Sequence, residues 1–249
     1  MSQYYNPMRA SSWNYGGSNW KLSRSKIDLF LECPRCFYLD NKLGLKRVPG
    51  FPFSLNSAVD HLLKKEFDFY RQKGEPHPMQ QEAGLDIRPV FHEELEEWRK
   101  NFGGIVHLHR DTNLLVSGAI DDLWINNQGE YLVVDYKSTA KEEAVKELDQ
   151  DWQDTYKRQM EVYQWLLRQK GLKVSNSAYF VYCTGDMSKD SFNQSLDFEI
   201  NLIEYLGNDN WVEETLFKIK DCLENDEIPS ASSDCDHCAY WTARRKFEK

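Results

Sequence analysis

Leu114-Leu-Val-Ser-Gly-Ala-Ile-Asp121-Asp-Leu-Trp-Ile-Asn-Asn-Gln-Gly-Glu-Tyr-Leu-Val-Val-Asp135-Tyr-Lys137 holds two apolar, β-prone runs parted by a polar turn. The pattern predicts an antiparallel hairpin, Leu114–Ile125 with Tyr131–Lys137, joined through Asn126-Asn-Gln-Gly-Glu130. Gly129 suits the positive φ that such a turn needs. With residue 128 at the turn's centre, Asp121 faces Asp135, Leu123 faces Val133 and Ile125 faces Tyr131. Side chains alternate along a strand, so Lys137 shares the face of Asp135, whereas Asp122 points the other way. Asp121 is therefore the candidate ligand, and Asp122 is expected to be structural or to support the ligands from behind.

Two carboxylates paired in this way would have Cβ atoms about 5 Å apart. At an effective dielectric of 20 they would repel by roughly 3 kcal/mol. A strand pair otherwise filled with Val, Leu, Ile and Trp has no folding reason to tolerate that. A hard divalent cation with oxygen ligands turns the repulsion into a binding site. The alternative is an Asp–Lys pair on an exposed sheet face, against which the apolar residues on both faces speak. Lys137 completes the chemistry: an ammonium beside metal-bound acids can orient water, hold a phosphate oxygen and stabilise developing charge. The backbone carbonyl of Tyr136 is a further candidate metal ligand.

Outward from the hairpin, Lys26–Cys33 reads as a short amphipathic helix that Pro34 ends. Ser54–Gln72 has helical periodicity, with Leu55, Val59, Leu62, Leu63, Phe67 and Tyr70 apolar. A charged helix over Glu93–Lys100 precedes a strand at Ile105–His109, where His107 and His109 are expected to be structural. Beyond the hairpin come a helix (Trp152–Gln169, closed by Gly171), strands at Ala178–Cys183 and Phe198–Ile203, and a helix at Trp211–Leu223. This order predicts an α/β fold with an αβββαβ core around one mixed sheet. Residues 1–20, rich in Ser, Asn, Gly and Tyr, read as a flexible arm, and 21–249 as a single domain.

A net charge of −9 argues against a protein that coats nucleic acid through general basicity, yet leaves room for a local basic groove around acidic metal ligands. No run approaches the ~20 apolar residues of a membrane span, and the first twenty residues lack a secretory pattern, so a cytoplasmic protein is expected. Cys33-Pro-Arg-Cys36 and Cys235-Asp-His-Cys238 form two C-x-x-C pairs near opposite ends of the chain. Paired in space they would hold Zn²⁺ or an iron–sulfur cluster, and disulfides are disfavoured in the cytoplasm. The segments 21–44 and 224–249 would then pack together, closing a loop of about 200 residues. His237 is a weaker stand-in ligand, and Cys183 and Cys222 read as buried thiols.

Gly118-Ala-Ile-Asp121, followed by Val134-Asp-Tyr-Lys137-Ser-Thr, resembles the metal-binding motif of PD-(D/E)XK nucleases, in particular their RecB-like exonuclease branch. Ser23-x-Ser25 leading to Phe30-x-x-Cys33-Pro34 and Phe37-Tyr38 is similar to that branch's N-terminal signature. His61 sits where the family places a histidine ligand, and Gln159 with Tyr163 resembles its glutamine–tyrosine motif. The likeness spans about residues 23–241 and extends to the CRISPR-associated iron–sulfur exonucleases. It implies a restriction-endonuclease-like core in which His61, Asp121 and Asp135 bind Mg²⁺ or Mn²⁺ and Lys137 is the catalytic lysine. It also implies that Gln159 and Tyr163 position nucleic acid; Tyr156 falls on the same helical face. Its [4Fe–4S] cluster would use one N-terminal and three C-terminal cysteines. Cys33, Cys235 and Cys238 match, but 243–246 read Ala-Arg-Arg-Lys, which leaves Cys36 as the fourth ligand and Zn²⁺ as an equal rival.

The activity expected is hydrolysis of DNA phosphodiesters by an exonuclease on single-stranded ends, in repair, recombination or CRISPR adaptation, with repair or CRISPR proteins as candidate partners. Abundant aromatics favour single strands, whose bases stack irrespective of sequence. One alternative is a non-catalytic DNA-binding or architectural module of a larger nucleic-acid-processing complex. Intact Asp121, Asp135 and Lys137 speak against it. Another is a metal-bearing protein-interaction domain in which the hairpin motif is coincidental.

Overall fold

The computed structural model describes residues 10–48, 50 and 54–248. In chain order the elements are α1 (Ala10–Trp13), β1 (Leu22–Ser23), α2 (Arg24–Glu32), α3 (Pro34–Asn41), α4 (Ser54–Lys73), α5 (Pro78–Glu82), β2 (Ile87–Pro89), α6 (Leu95–Trp98) and β3 (Ile105–His109). They continue with β4 (Leu114–Gly118), β5 (Asp122–Asn126), β6 (Tyr131–Lys141), α7 (Asp154–Gln169), β7 (Ser177–Asp186), β8 (Phe198–Leu206), α8 (Trp211–Glu224) and α9 (Asp236–Arg245). Contacts gather in two compact units: Met1–Phe51 with Leu108–Ser117 and Asn210–Lys249, and Pro52–His107 with Gly118–Asp209. The division runs within the span, 21–249, expected as one domain. Among the described residues, no helix is long and apolar enough to cross a membrane.

The second unit is built on a mixed sheet ordered β2-β5-β6-β7-β8. β5 and β6 pair antiparallel with Asp122 opposite Val134, Leu123 opposite Val133 and Ile125 opposite Tyr131, the register read from the sequence. The turn is fastened by Asn126, whose Oδ1 accepts the amides of Gln128 (3.0 Å) and Glu130 (2.9 Å). Gly129 has φ 71 there. β6 and β7 run parallel, with Asp135 beside Phe180 and Lys137 beside Tyr182. Parallel neighbours need a long crossover, and α7 supplies it. This mixed α/β architecture with a mixed central sheet is the one expected.

Both faces of β6 are covered. Trp124, Leu132, Val134, Tyr136 and Val181 form one face, on which Leu63 and Phe67 of α4 pack. Phe67 stacks on Trp124 and Tyr136, with ring centres 5.2 and 5.7 Å apart. Leu123, Val133, Asp135 and Phe180, all buried, alternate onto the other face, where Tyr156 and Gln159 of α7 meet Phe180 and Asp135. Leu55 and Leu62, counted with the inner stripe of α4, are exposed.

Five further expectations change. Leu114–Ile125 is not one strand: it breaks between β4 and β5, and β4 pairs in a separate three-stranded sheet ordered β1-β4-β3. The break has a tertiary cause, since the amide of Ile120 donates to the Trp98 carbonyl of α6 at 3.1 Å instead of staying in the ladder. Ile105–His109 accordingly lies outside the five-stranded sheet, and β2 takes the edge beside β5. The charged helix over 93–100 contracts to α6. Pro34 begins a helix as well as ending one: Cys33 is extended (φ −160, ψ 104), and proline takes the first position of α3, where its missing N–H is no loss. Of the arm expected over 1–20, residues 1–9 lie outside the described residues, whereas Asn14 and Trp20 are buried. Trp20 donates through Nε1 to Asn41 Oδ1 at 3.1 Å, and Tyr15 meets its ring edge-on.

Candidate active site

Asp121 sits one residue before β5, where the chain has left the ladder. The register would give the Tyr136 amide the carbonyl of Ile120; Asp121 Oδ2 accepts that N–H instead, at 3.0 Å. Asp135 is 1% exposed, and its Oδ1 accepts from Gln159 Nε2 at 2.7 Å. Lys137 makes an ion pair with Asp135 Oδ2. Beyond that ion pair, Oδ2 is a buried oxygen with no hydrogen-bond partner. Burial pushes the Asp135 carboxyl up to about 7; Lys137 opposes the rise and Asp121 adds to it.

Lys137 is held from two further sides. Its Nζ donates to Gln159 Oε1 at 3.3 Å and lies 4.3 Å from the centre of the Tyr156 ring. Gln159 Nε2 also meets the Tyr163 hydroxyl at 3.1 Å. From α4, Lys64 reaches Asp121 Oδ1 at 3.1 Å and Asp60 at 2.9 Å. Burial lowers the proton affinity of Lys64, but Asp121 and Asp60 more than restore it, so it stays charged. Each acid of the pair thus has its own ammonium partner.

The structure brings together Asp121, Asp135, Lys137, Gln159, Tyr163 and Tyr156. Gln159 and Tyr163, expected to meet nucleic acid, are only 8% and 4% exposed, and Gln159 is engaged with Asp135, Lys137 and Tyr163. Tyr136 runs between the two motif residues, with its ring turned to the α4 face. His61 is exposed on α4 and does not form a compact ligand group with the two acids; Lys64, one turn on, is the α4 side chain at Asp121. Lys64 and Asp60 went unread in the sequence, although their i,i+4 spacing was a usable signal.

Asp122 points to the opposite face, as alternation requires, and is fully buried. Its Oδ1 pairs with Arg71 and accepts from Arg99 Nη2 at 2.8 Å. Its Oδ2 accepts from the Tyr136 hydroxyl at 2.7 Å and from Trp124 Nε1 at 3.2 Å. Burial, then the neighbouring Asp122, keeps the Tyr136 phenol protonated. Arg99 also donates through Nε to the Asp121 carbonyl at 3.0 Å. The buried charge cluster behind the site is completed by Asp68, which both arginines meet.

A family model described as the PD-(D/E)XK nuclease superfamily matches residues 54–243, a span that includes Asp121, Asp135 and Lys137. The chain belongs to the PD-(D/E)XK nuclease superfamily. No curated protein matches it. PD-(D/E)XK nucleases usually use divalent metal ions, and the residues here fit one. Two neighbouring carboxylates, one keeping a buried oxygen without a hydrogen bond, are the hard oxygen donors such a cation prefers.

Four cysteines make a second group in this superfamily member. The sulfurs of Cys33, Cys36, Cys235 and Cys238 all lie within 4.8 Å of one another and could hold a metal ion. Cys33 caps α3 and Cys235 caps α9, which puts Cys36 and Cys238 on the first turns of those helices. Cys36 is the fourth member, and His237 is not part of the group. Burial alone would raise the Cys33 thiol, but the amides of Cys36 and Ser232 and the neighbouring thiols bring it down to about 6. Arg47, unread in the sequence, donates through Nη2 to Cys235 Sγ at 3.5 Å and through Nη1 to Glu32 at 2.5 Å. Cys183 is buried in β7 and Cys222 is partly buried. His107 packs edge-on against Trp165, and His109 bonds Thr112 and Glu213, both at 2.8 Å.

Proposed function

We propose that the chain is a Mg²⁺- or Mn²⁺-dependent deoxyribonuclease of the RecB-like branch. Its substrate is single-stranded DNA ends, which it degrades as an exonuclease in repair, recombination or CRISPR adaptation in the cytoplasm. The observation that carries this reading is Asp135: a buried carboxylate with one oxygen outside any hydrogen bond, beside Asp121 and Lys137. Burying this carboxylate beside Asp121 costs stability that the Lys137 ion pair only partly offsets, which supports a use other than folding.

Asp121 and Asp135 would hold the cation, with the Tyr136 carbonyl and His61 as the remaining candidate ligands. When bound, the cation supplies a water of lowered pKa and positive charge beside the scissile phosphate. Lys137, seated between Gln159 and the Tyr156 ring, presents its ammonium to a phosphate oxygen and stabilises the charge that builds there. Gln159 fixes Asp135 by donating to Oδ1, and the Tyr136 amide fixes Asp121 by donating to Oδ2. The half-buried Tyr156 offers an aromatic face near the lysine against which a terminal base can stack.

The test is degradation of end-labelled single-stranded DNA with Mn²⁺. The wild type should shorten the strand from an end, and Asp121→Ala and Lys137→Ala should each lower the rate at least about 100-fold with unchanged circular dichroism. Metal-dependent cleavage retained by either folded variant refutes the assignment. Cutting of closed circular single strands refutes the exonuclease step alone.

A further inference from the structure

We infer that Cys33, Cys36, Cys235 and Cys238 enclose a single tetrahedral zinc ion and that an iron–sulfur cluster does not fit between them. The inference stands apart from the nuclease reading, since it uses no residue of the Asp121–Asp135 site. Four thiolates around one ion, at Zn–S distances of about 2.3 Å, have sulfurs about 3.8 Å apart. The sulfur pairs Cys36–Cys235 and Cys36–Cys238 are separated by 3.6 Å, and Cys33–Cys238 by 3.9 Å. In a four-iron cluster each thiolate binds its own iron at a separate corner, with the other irons and the sulfides in between. No two thiolates can then touch. Sulfurs already in contact leave room for one ion at their centre and none for a cube.

Two neighbouring features agree. A zinc ion with four thiolates carries net negative charge, and Arg47 lies against it with Nη2 on Cys235. The amides of Cys36 and Ser232 are directed at the Cys33 sulfur. The set is also closed: four protein ligands leave no open position for water, so the ion is structural. Its structural use is visible in α9, a helix of 10 residues of which none is buried. Core packing does not hold α9; Cys238 on its first turn and Cys235 at its N-cap tie it to the other two cysteines.

The experiment measures metal on the full chain, purified anaerobically from cells supplied with both iron and zinc. We expect one zinc per chain, no acid-labile sulfide and no brown colour. The same count is expected in Asp121→Ala, which separates this ion from any metal at the carboxylates. Cobalt exchanged into the protein should give the intense visible bands of a tetrahedral tetrathiolate. Arg47→Gln should weaken zinc binding about 10–100-fold in chelator competition. Chelation should expose α9 to limited proteolysis while zinc protects it. Iron with stoichiometric sulfide, or wild-type protein isolated without zinc, overturns the inference. A cobalt spectrum with fewer than four thiolates does so as well, and it needs no variant that must fold.

Discussion

Replacing Asp135 by asparagine should destroy cleavage and at the same time make the metal-free protein more stable. The carboxyl is raised from an ordinary 3.8 to about 7, so the folded chain holds a proton that the unfolded chain has released throughout that window. Stability therefore falls as pH climbs from about 4 to about 7, and the full penalty at neutral pH is at most roughly 4 kcal/mol. The substitution keeps an oxygen for Gln159 but loses the ion pair with Lys137, which offsets part of the gain. The net expectation for Asp135→Asn is a gain of about 1–3 kcal/mol at pH 7.5, shrinking towards zero at pH 4. In a chain of this size each kcal/mol moves the midpoint by about 2–4 °C, so thermal melts in EDTA at several pH values resolve it. Added Mg²⁺ should then stabilise the wild type more than the variant, because only the wild type has both carboxylates to bind it. A variant that melts below the wild type at pH 7.5 without metal refutes this reasoning, as does a gain that is the same at both pH values.

Asp122→Asn should do the opposite of its neighbour across the hairpin. It leaves Arg71 and Arg99 sharing Asp68, with exposed Glu96 as a further partner of Arg99, and should cost about 3–5 kcal/mol, read as a lowered urea midpoint; a cost below about 1 kcal/mol counts against the buried cluster. Gly118→Ala would put a Cβ 2.7 Å from Tyr163 Cε1 and 2.9 Å from Leu166 Cδ1, so about 1–3 kcal/mol of stability should be lost in thermal melts. Gln159→Leu should lower kcat about 10–100-fold with KM little changed, since the residue positions Asp135 and Lys137 and is buried; a change in KM alone would favour direct contact with DNA.

The hairpin was legible because its signals are local. Alternating apolar residues and Asn126 with Gly129 set the turn, and the turn sets which acids share a face. The separation of Asp121 from Asp122 followed from the same two-residue period. Partners that arrive from other elements left no such mark. Arg99 joins Asp122 across 23 residues, Lys64 joins Asp121 across 57, and Arg47 reaches Cys235 across 188. The break inside Leu114–Ile125 is tertiary too, since the Trp98 carbonyl claims an amide from a stretch whose composition reads as unbroken strand. His61 owes its candidate role to resemblance alone, because the local sequence does not fix which way that side chain faces. The phase of α4, set by Leu63 and Phe67 in the core, leaves the histidine exposed and sends Lys64 to the acid.

Tyr136 has one end in each of two worlds. Its amide steers Asp121 and its hydroxyl is locked to Asp122 among the arginines, so the spacer between Asp135 and Lys137 is also a keystone of the interior. Aiming the reactive groups is thereby delegated in part to contacts in the buried interior. Variation that softens that interior should blur the chemistry before it unfolds the chain, and such damage would register as slow turnover in protein that still looks native.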